Sequence, residues 1–318
     1  MMKLRKFAAA ILAASLAVAV PASAQLGGLG GLGDKLRGKN PITSLIQGKE
    51  PITTSLPDAK WEDASKDGFT PREAKRSLMT LQRTPNGGFV LQPGYYELVN
   101  QSYCLKAGTH GPGGGDGYLF APPKGPAEDA VMTIVRNSVN RPEIQQQKIQ
   151  QLLWAIIARA KFEDLHGDLK VTASQLLTPR QLASLNRNAL DVLQGPLGSV
   201  VGVPGPVRQS MEAEQRLRQM LTMPGATFAE MERVAVLSGA VPMGPGSREV
   251  PSGRWSMHPD GYYVRYIPSG YSTTRTEIWV PQGSPAVGKE YDPAAHMAVP
   301  GNTARQRLIQ SGRAVQQS

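Results

Sequence analysis

The sequence has very few of the residues that build disulfide frameworks or metal centres. It contains a single cysteine, Cys104, and four histidines. One cysteine excludes an internal disulfide framework and a multi-cysteine metal site, because both need several thiols at short spacing. The histidines are His110, His166, His258 and His296. They are isolated in the sequence and show no metal-ligand spacing, so we expect neither a bound metal nor another cofactor.

Long apolar runs are also scarce. The one such run, FAAAILAASLAVAV, follows three basic residues and ends in Pro-Ala-Ser-Ala. This arrangement predicts a secretory signal peptide at 1–24. No later stretch reaches the roughly 18 continuous apolar residues that a membrane span needs. We therefore expect an exported protein, periplasmic or extracellular, with no transmembrane span in the mature chain.

The charge is moderately basic and dispersed. Removing residues 1–24 takes away three positive charges and no negative ones, so the net charge falls from +10 to +7. The Lys and Arg residues form no cluster and no nucleic-acid motif, which argues against a nucleic-acid partner. An unknown envelope or surface polymer or protein is the expected partner, and the oligomeric state is left open.

The sequence predicts an α+β protein divided into several segments. Residues 25–60 begin with LGGLGGLG and form a flexible Gly/Pro-rich arm, since they have little to bury. The segments that follow are a mixed α+β domain at 61–165 that contains Cys104, a helical region at 166–241, a linker at 242–253, a β-hairpin unit at 254–300 and a polar tail at 301–318. The fold class is thus a mixed central domain, a helical middle region and a C-terminal β-hairpin unit.

The central domain combines strands with helices. Thr70, Pro71 and Glu73 have the pattern of a capping box, which predicts a short helix there. Two alternating strands follow on either side of Pro93-Gly94, and Cys104 closes the second. Two helices come after a glycine-rich loop, one opening near Pro126 and one near Pro142.

The second of these helices carries glutamines beside its apolar stripe. At about 100° per residue, Gln146 and Gln150 fall at the edge of the stripe, next to Trp154. Gln151 points away from it. A carboxamide can therefore face the interior of the protein here.

Two short motifs in this segment resemble the thioester domains of bacterial surface adhesins. They are Tyr-Cys-Leu-Lys around Cys104 and Gln-Gln-Leu-Leu-Trp from Gln150 to Trp154. In that family a cysteine attacks a glutamine carboxamide, ammonia leaves, and the internal thioester captures a nucleophile on a partner surface. The resemblance covers residues 88–160 and implies Cys104 as the sulfur, Gln150 as acyl donor with Gln146 as its alternative, and Trp154 packed over the bond. Lys106 departs from the family, which usually has an acid or amide there.

Two other roles for Cys104 stay open. The thiol can be a small buried apolar group at a strand end, with the glutamines as ordinary polar helix positions. It can also act as a nucleophile with His110 as its base, as in cysteine hydrolases. No third residue that would orient the base is evident from the sequence.

The C-terminal half adds helices and one hairpin. Thr178 with Gln181, and Thr227 with Glu230, have the spacing of helix capping boxes. Strands at 262–267 and 273–280 flank Pro268-Ser269-Gly270 and predict a hairpin. Its aromatic and arginine side chains are candidates for stacking on sugar rings: Trp255, Tyr262, Tyr266, Arg275 and Trp279. Cross-strand aromatic pairs that stabilise a small sheet explain the same residues.

The leading functional prediction is an exported, adhesin-like cell-envelope or surface interaction protein. Its central domain would form an internal thioester between Cys104 and Gln150 for covalent attachment to a partner. The alternatives are a non-catalytic periplasmic scaffold, structural or glycan-binding, and a cysteine hydrolase that uses Cys104 and His110. An enzyme is the less favoured class.

Overall fold

A computed structural model of the chain describes residues 50–193 and 205–315, without the side chains of 188–193. The predicted signal peptide, most of the predicted arm and the end of the polar tail lie outside the described residues. Residues 50–60, the last part of that arm, are described. There Ile52 and Leu56 are buried in the core, and the Thr54 hydroxyl donates to the Pro122 carbonyl (2.8 Å).

The described chain contains twelve strands and six α-helices. The strands are β1 Lys75–Ser77, β2 Phe89–Val90, β3 Gly94–Cys104, β4 Thr109–His110, β5 Tyr118–Ala121, β6 Val236–Leu237, β7 Ser256–Met257, β8 Tyr263–Pro268, β9 Thr273–Val280, β10 Glu290–Tyr291, β11 Met297–Pro300 and β12 Leu308–Ala314. The helices are α1 Glu128–Ser138, α2 Gln146–Ile157, α3 Gly167–Leu176, α4 Pro179–Leu193, α5 Gly205–Thr222 and α6 Phe228–Ala235. Five short 3₁₀ segments join them.

Six of the strands close into an antiparallel β-barrel. Going round the ring, β3 pairs with β12, β12 with β11, β11 with β5, β5 with β8, β8 with β9, and β9 again with β3. Two further strands extend the sheet outside the ring, β1 parallel to β3 and β7 antiparallel to β8. Closure leaves the ring with no unpaired edge, which is how barrels avoid edge-to-edge association.

The barrel interior follows the two-residue period of the strands. In β3 the residues at even positions, from Tyr96 to Cys104, are buried, whereas Val99 between them is exposed. Their partners on β9 and β8, such as Ile278 and Val264, are buried as well. Because side chains alternate across a strand, this pattern places the even positions of β3 in the core.

The predicted fold class is wrong. The hairpin of β8 and β9 is present, but it is no separate unit, because β9 pairs with β3 over eight residues and completes the ring. The ring also needs β12, which forms where the sequence predicts a polar tail. The predicted capping-box helix after Thr70 is absent from the described residues, and Lys75–Ser77 form β1 instead. Pairing to a distant strand outweighs the local helix signal there.

Helices α1 and α2 pack against strands of the barrel. Both helices predicted after Pro126 and Pro142 are present as α1, which contacts β12, and α2, which contacts β3. The capping box of Thr227 with Glu230 is confirmed at the start of α6. Thr178 and Gln181 also bond reciprocally at the start of α4. In the part of the chain that the structure describes, no helix is long and apolar enough to cross a membrane.

Candidate functional site

The site lies where β3 extends beyond the first residue of its neighbour β9. The ladder between these strands ends at Gln101 and Thr273, three residues before Cys104. One more bond joins the Ser102 N–H to the Ser272 carbonyl (3.0 Å). The Cys104 backbone thus extends beyond the partner strand, and its N–H and C=O need another partner because buried peptide groups are costly when unpaired.

Gln150 of α2 supplies that partner. Its Oε1 accepts from the Cys104 N–H (2.9 Å), and its Nε2 donates to the Cys104 carbonyl (3.1 Å). Gln146, one turn earlier, donates through Nε2 to the carbonyls of Ser102 (3.2 Å) and Ser272 (2.7 Å). The two carboxamides therefore continue the β-ladder beyond the start of β9 and fix α2 to the end of β3.

The sulfur of Cys104 is held by a different residue of the same helix. The indole Nε1 of Trp154 donates to Sγ (2.9 Å). Trp154 is four residues after Gln150, so the two side chains project from one face of α2. Cys104 and Trp154 are 0% exposed and Gln150 is 1% exposed. The thiol, the carboxamide and the indole thus share one water-excluded site.

Burial controls the state of the thiol. It raises the pKa of Cys104 to about 12, although the hydrogen bond from Trp154 acts in the opposite direction. The sulfur is therefore a thiol at neutral pH and not a free thiolate. A low-pKa nucleophile of the kind that cysteine hydrolases use has the opposite environment.

A thiol and a carboxamide have the chemistry for one covalent step. The carboxamide of Gln150 lies against the backbone of the residue that carries the sulfur. Attack of Sγ on the carboxamide carbon would break the C–N bond and release ammonia, since the thiol proton goes to the leaving nitrogen. The product is a thioester between Cys104 and Gln150. Gln146 is directed at other carbonyls, so Gln150 is the better placed acyl donor of the two.

α6 and the turn between β8 and β9 supply half-buried side chains next to the site. Phe228 of α6 stacks on Trp154, with ring centroids 5.3 Å apart. Tyr271 of the turn is fixed next to β3, because its carbonyl accepts from the Ser102 hydroxyl (2.9 Å). Its own hydroxyl donates to the Glu232 carboxylate of α6. Glu232 and Tyr271 could not be predicted from the sequence, since neither belongs to a motif and only the fold brings them to this site.

His110, the base of the hydrolase alternative, has a different environment. It lies in β4 and pairs through its backbone with β6. Its Nδ1 is buried without a hydrogen-bond partner among the residues that the structure describes. Burial lowers its pKa, and the charge of Arg305 lowers it further. No hydrogen bond within the described residues joins this ring to Cys104.

Most of the candidate sugar-stacking residues are buried. Trp255, Tyr262 and Tyr266 are each 0% exposed. The Trp255 indole N–H donates to the Phe69 carbonyl (3.1 Å), and Tyr262 bonds through its hydroxyl to His296 (2.6 Å). These three rings are therefore core residues without a free face.

The other two candidates lie on the outer surface of β9. Trp279 stacks on Tyr263 (5.1 Å between centroids) and also contacts Phe69 (4.9 Å). The Arg275 side chain is 46% exposed and reaches Glu277 (3.5 Å). Arg275 is thus exposed although it is paired with Glu277, whereas Trp279 is partly covered by its neighbours.

A buried carboxylate, Glu277, organises this outer surface. It accepts from the Arg265 guanidinium (2.7 Å) and the Tyr95 hydroxyl, and Lys75 lies 3.4 Å away. Burial alone would raise the pKa of Glu277, but the bonds from Tyr95 and Arg265 and the nearby cations outweigh it and lower the pKa. The cluster links β3, β8, β9 and β1 and is a structural element of the barrel.

Comparisons of the chain with family models, with curated proteins and with solved structures find no match. A functional assignment therefore depends on the chemistry of the site itself.

Proposed function

We propose that this protein is an exported interaction protein of the cell envelope or surface whose barrel forms an internal thioester between Cys104 and Gln150. The thioester would attach the protein covalently to a nucleophile on a partner polymer or protein. The observation that carries the proposal is the pairing of the Gln150 carboxamide with the backbone of Cys104, in a site where Trp154 binds the sulfur.

Three physical features support it. The reacting groups are held by regular elements, one at the end of a strand and one on a helix, and such preorganisation lowers the entropic cost of an intramolecular step. Burial excludes water, which protects a thioester from hydrolysis. An exported chain with one cysteine has no second thiol for an internal disulfide, and acylation protects the sulfur from oxidation.

The mass of the intact protein tests the proposal. We expect the mature polypeptide to have a mass lower by one ammonia than the mass calculated from its residues. Cys104 should be unreactive toward maleimide after denaturation. Methylamine should add to Gln150 and release the thiol. Cys104→Ala and Gln150→Ala should each show the full mass, whereas Gln151→Ala, a control on the same helix, should keep the deficit. Gln146→Ala separates the two possible acyl donors.

A second candidate is a non-catalytic scaffold. The bidentate pairing of Gln150 with the Cys104 backbone by itself explains why a glutamine is buried here, since it satisfies two peptide groups. Under this alternative the intact protein has its full sequence mass, and denaturation exposes one free thiol. The same mass measurement therefore decides between the two candidates.

A further inference from the structure

Glu232 and Tyr271 form a polar pair beside the buried site. The Tyr271 hydroxyl donates to Glu232, and both side chains are half-buried, whereas Cys104 and Trp154 are fully buried. The pair is therefore more exposed than the sulfur and the indole. Nothing in the β-ladder or in the helix packing requires a carboxylate at this position.

Two independent contacts hold the pair close to Cys104. Tyr271 is tied through its carbonyl to the Ser102 hydroxyl, two residues before Cys104 on β3. Glu232 lies on α6 one turn after Phe228, whose ring stacks on Trp154. The charge of Glu232 also contributes to the raised pKa of Cys104, after burial as the main cause.

Capture of an amine by a thioester at this site requires the transfer of one proton from the nitrogen to the sulfur. When a primary amine attacks the Gln150 acyl carbon, the new C–N bond forms, the C–S bond breaks, and one proton leaves the nitrogen. The sulfur departs into a site where the thiol form is strongly favoured, because its pKa is about 12. A group that takes the proton from nitrogen and gives it to sulfur would therefore assist both halves of the exchange.

We propose that Glu232, positioned by the hydroxyl of Tyr271, carries this proton. The proposal rests on the thioester function stated above. A carboxylate attracts the ammonium form of an amine to the site and accepts its proton. By microscopic reversibility, the same group carries the thiol proton to the leaving ammonia when the thioester forms.

The test compares Glu232→Gln with the wild type and with Glu249→Gln, which removes one exposed carboxylate elsewhere. Ammonia loss is followed by mass as the thioester forms, and methylamine capture is followed by release of the Cys104 thiol. We expect Glu232→Gln to slow both processes by about 10²-fold or more, the usual range for general acid–base catalysis. Tyr271→Phe should slow them less, because it leaves the carboxylate in place.

Proton transfer gives a readout that a purely structural role would not change. The wild-type capture rate should fall in D₂O, and this isotope effect should shrink in Glu232→Gln. If Glu232→Gln fails to fold, Tyr271→Phe tests the positioning of the carboxylate: it should slow capture and keep the isotope effect, and an unchanged rate would contradict the proposal. Equal rates and equal isotope effects in all variants would overturn the proton-carrier role while leaving the thioester intact. A wild-type protein of full sequence mass would instead refute the thioester function itself.

Discussion

Replacing Gln150 with leucine tests how strongly this side chain fixes α2 to the barrel. The substitution should be made in a Cys104→Ala background, where no thioester can form and only hydrogen bonds remain. Leucine keeps most of the apolar volume but leaves the N–H and C=O of residue 104 buried without partners. Each unpaired group costs about 1–3 kcal/mol, so we expect the free energy of unfolding to fall by about 3 kcal/mol.

Urea denaturation followed by tryptophan fluorescence measures the change, since Trp154 is buried at the site. Gln151→Leu in the same background is the matched control. Gln151 is partly exposed, and its Nε2 makes a weak contact with the Met231 sulfur (3.8 Å). We expect that control to change stability by about 0.5 kcal/mol or less. A Gln150→Leu effect no larger than the control would refute the view that the carboxamide serves as the missing ladder partner.

Three more substitutions test other parts of the fold. Trp154→Phe keeps a ring against Phe228 but removes the indole N–H that donates to the Cys104 sulfur. We expect thermal denaturation to show a free energy of unfolding lower by about 1 kcal/mol. An unchanged stability would contradict that hydrogen bond. The pKa of Glu277 is lowered by folding, so the stability that it contributes is present above its ordinary value of 4.5 and is lost as the pH falls below it. Glu277→Gln should therefore flatten the acid limb of a plot of stability against pH, and an unaltered limb would argue against this linkage. Gly312→Ala should lower the free energy of unfolding by about 1–3 kcal/mol in thermal denaturation, because the new Cβ would lie 2.2 Å from the Gly87 carbonyl oxygen. The Cβ of Gly114→Ala meets nothing within 4 Å, so that variant should have unchanged stability. Similar melting temperatures for the two glycine variants would show that the backbone at Gly312 can relax.

The local elements of the fold could be predicted where local chemistry decides them. The stripe of α2 and the capping box at Thr227 are complete within a few residues, so the sequence identifies both helices. The hairpin of β8 and β9 depends on a short turn and an alternating pattern, which are also local. These signals need no knowledge of the rest of the chain.

Closure of the barrel could not be predicted in the same way. It depends on pairs such as Cys104 with Leu308 and Gln101 with Thr273, which are far apart in the sequence. β12 contains only a few apolar residues among polar ones, so its composition is that of a loop. Pairing on both sides, with β3 and β11, makes it a strand.

The candidate site also combines features that local sequence predicts with features that depend on long-range pairing. Helical spacing places Gln146 and Gln150 at the edge of an apolar stripe, and the resemblance to thioester domains selects Cys104 as the partner. The carboxamides meet the backbone of β3 because β9 begins at Thr273 and leaves the end of β3 unpaired on that side, which no local pattern encodes. Glu232 and Tyr271 come from two further segments and had no signal of their own.

The position of β12 in the ring has a consequence for biogenesis. A ribosome makes residues 308–314 long after β3, so the nascent chain holds β3 and β11 without the strand that joins them. Until that strand arrives, both present open edges that other chains can pair with. A holding chaperone, or rapid delivery of the last segment, would then decide how much of the newly made protein matures and how much aggregates.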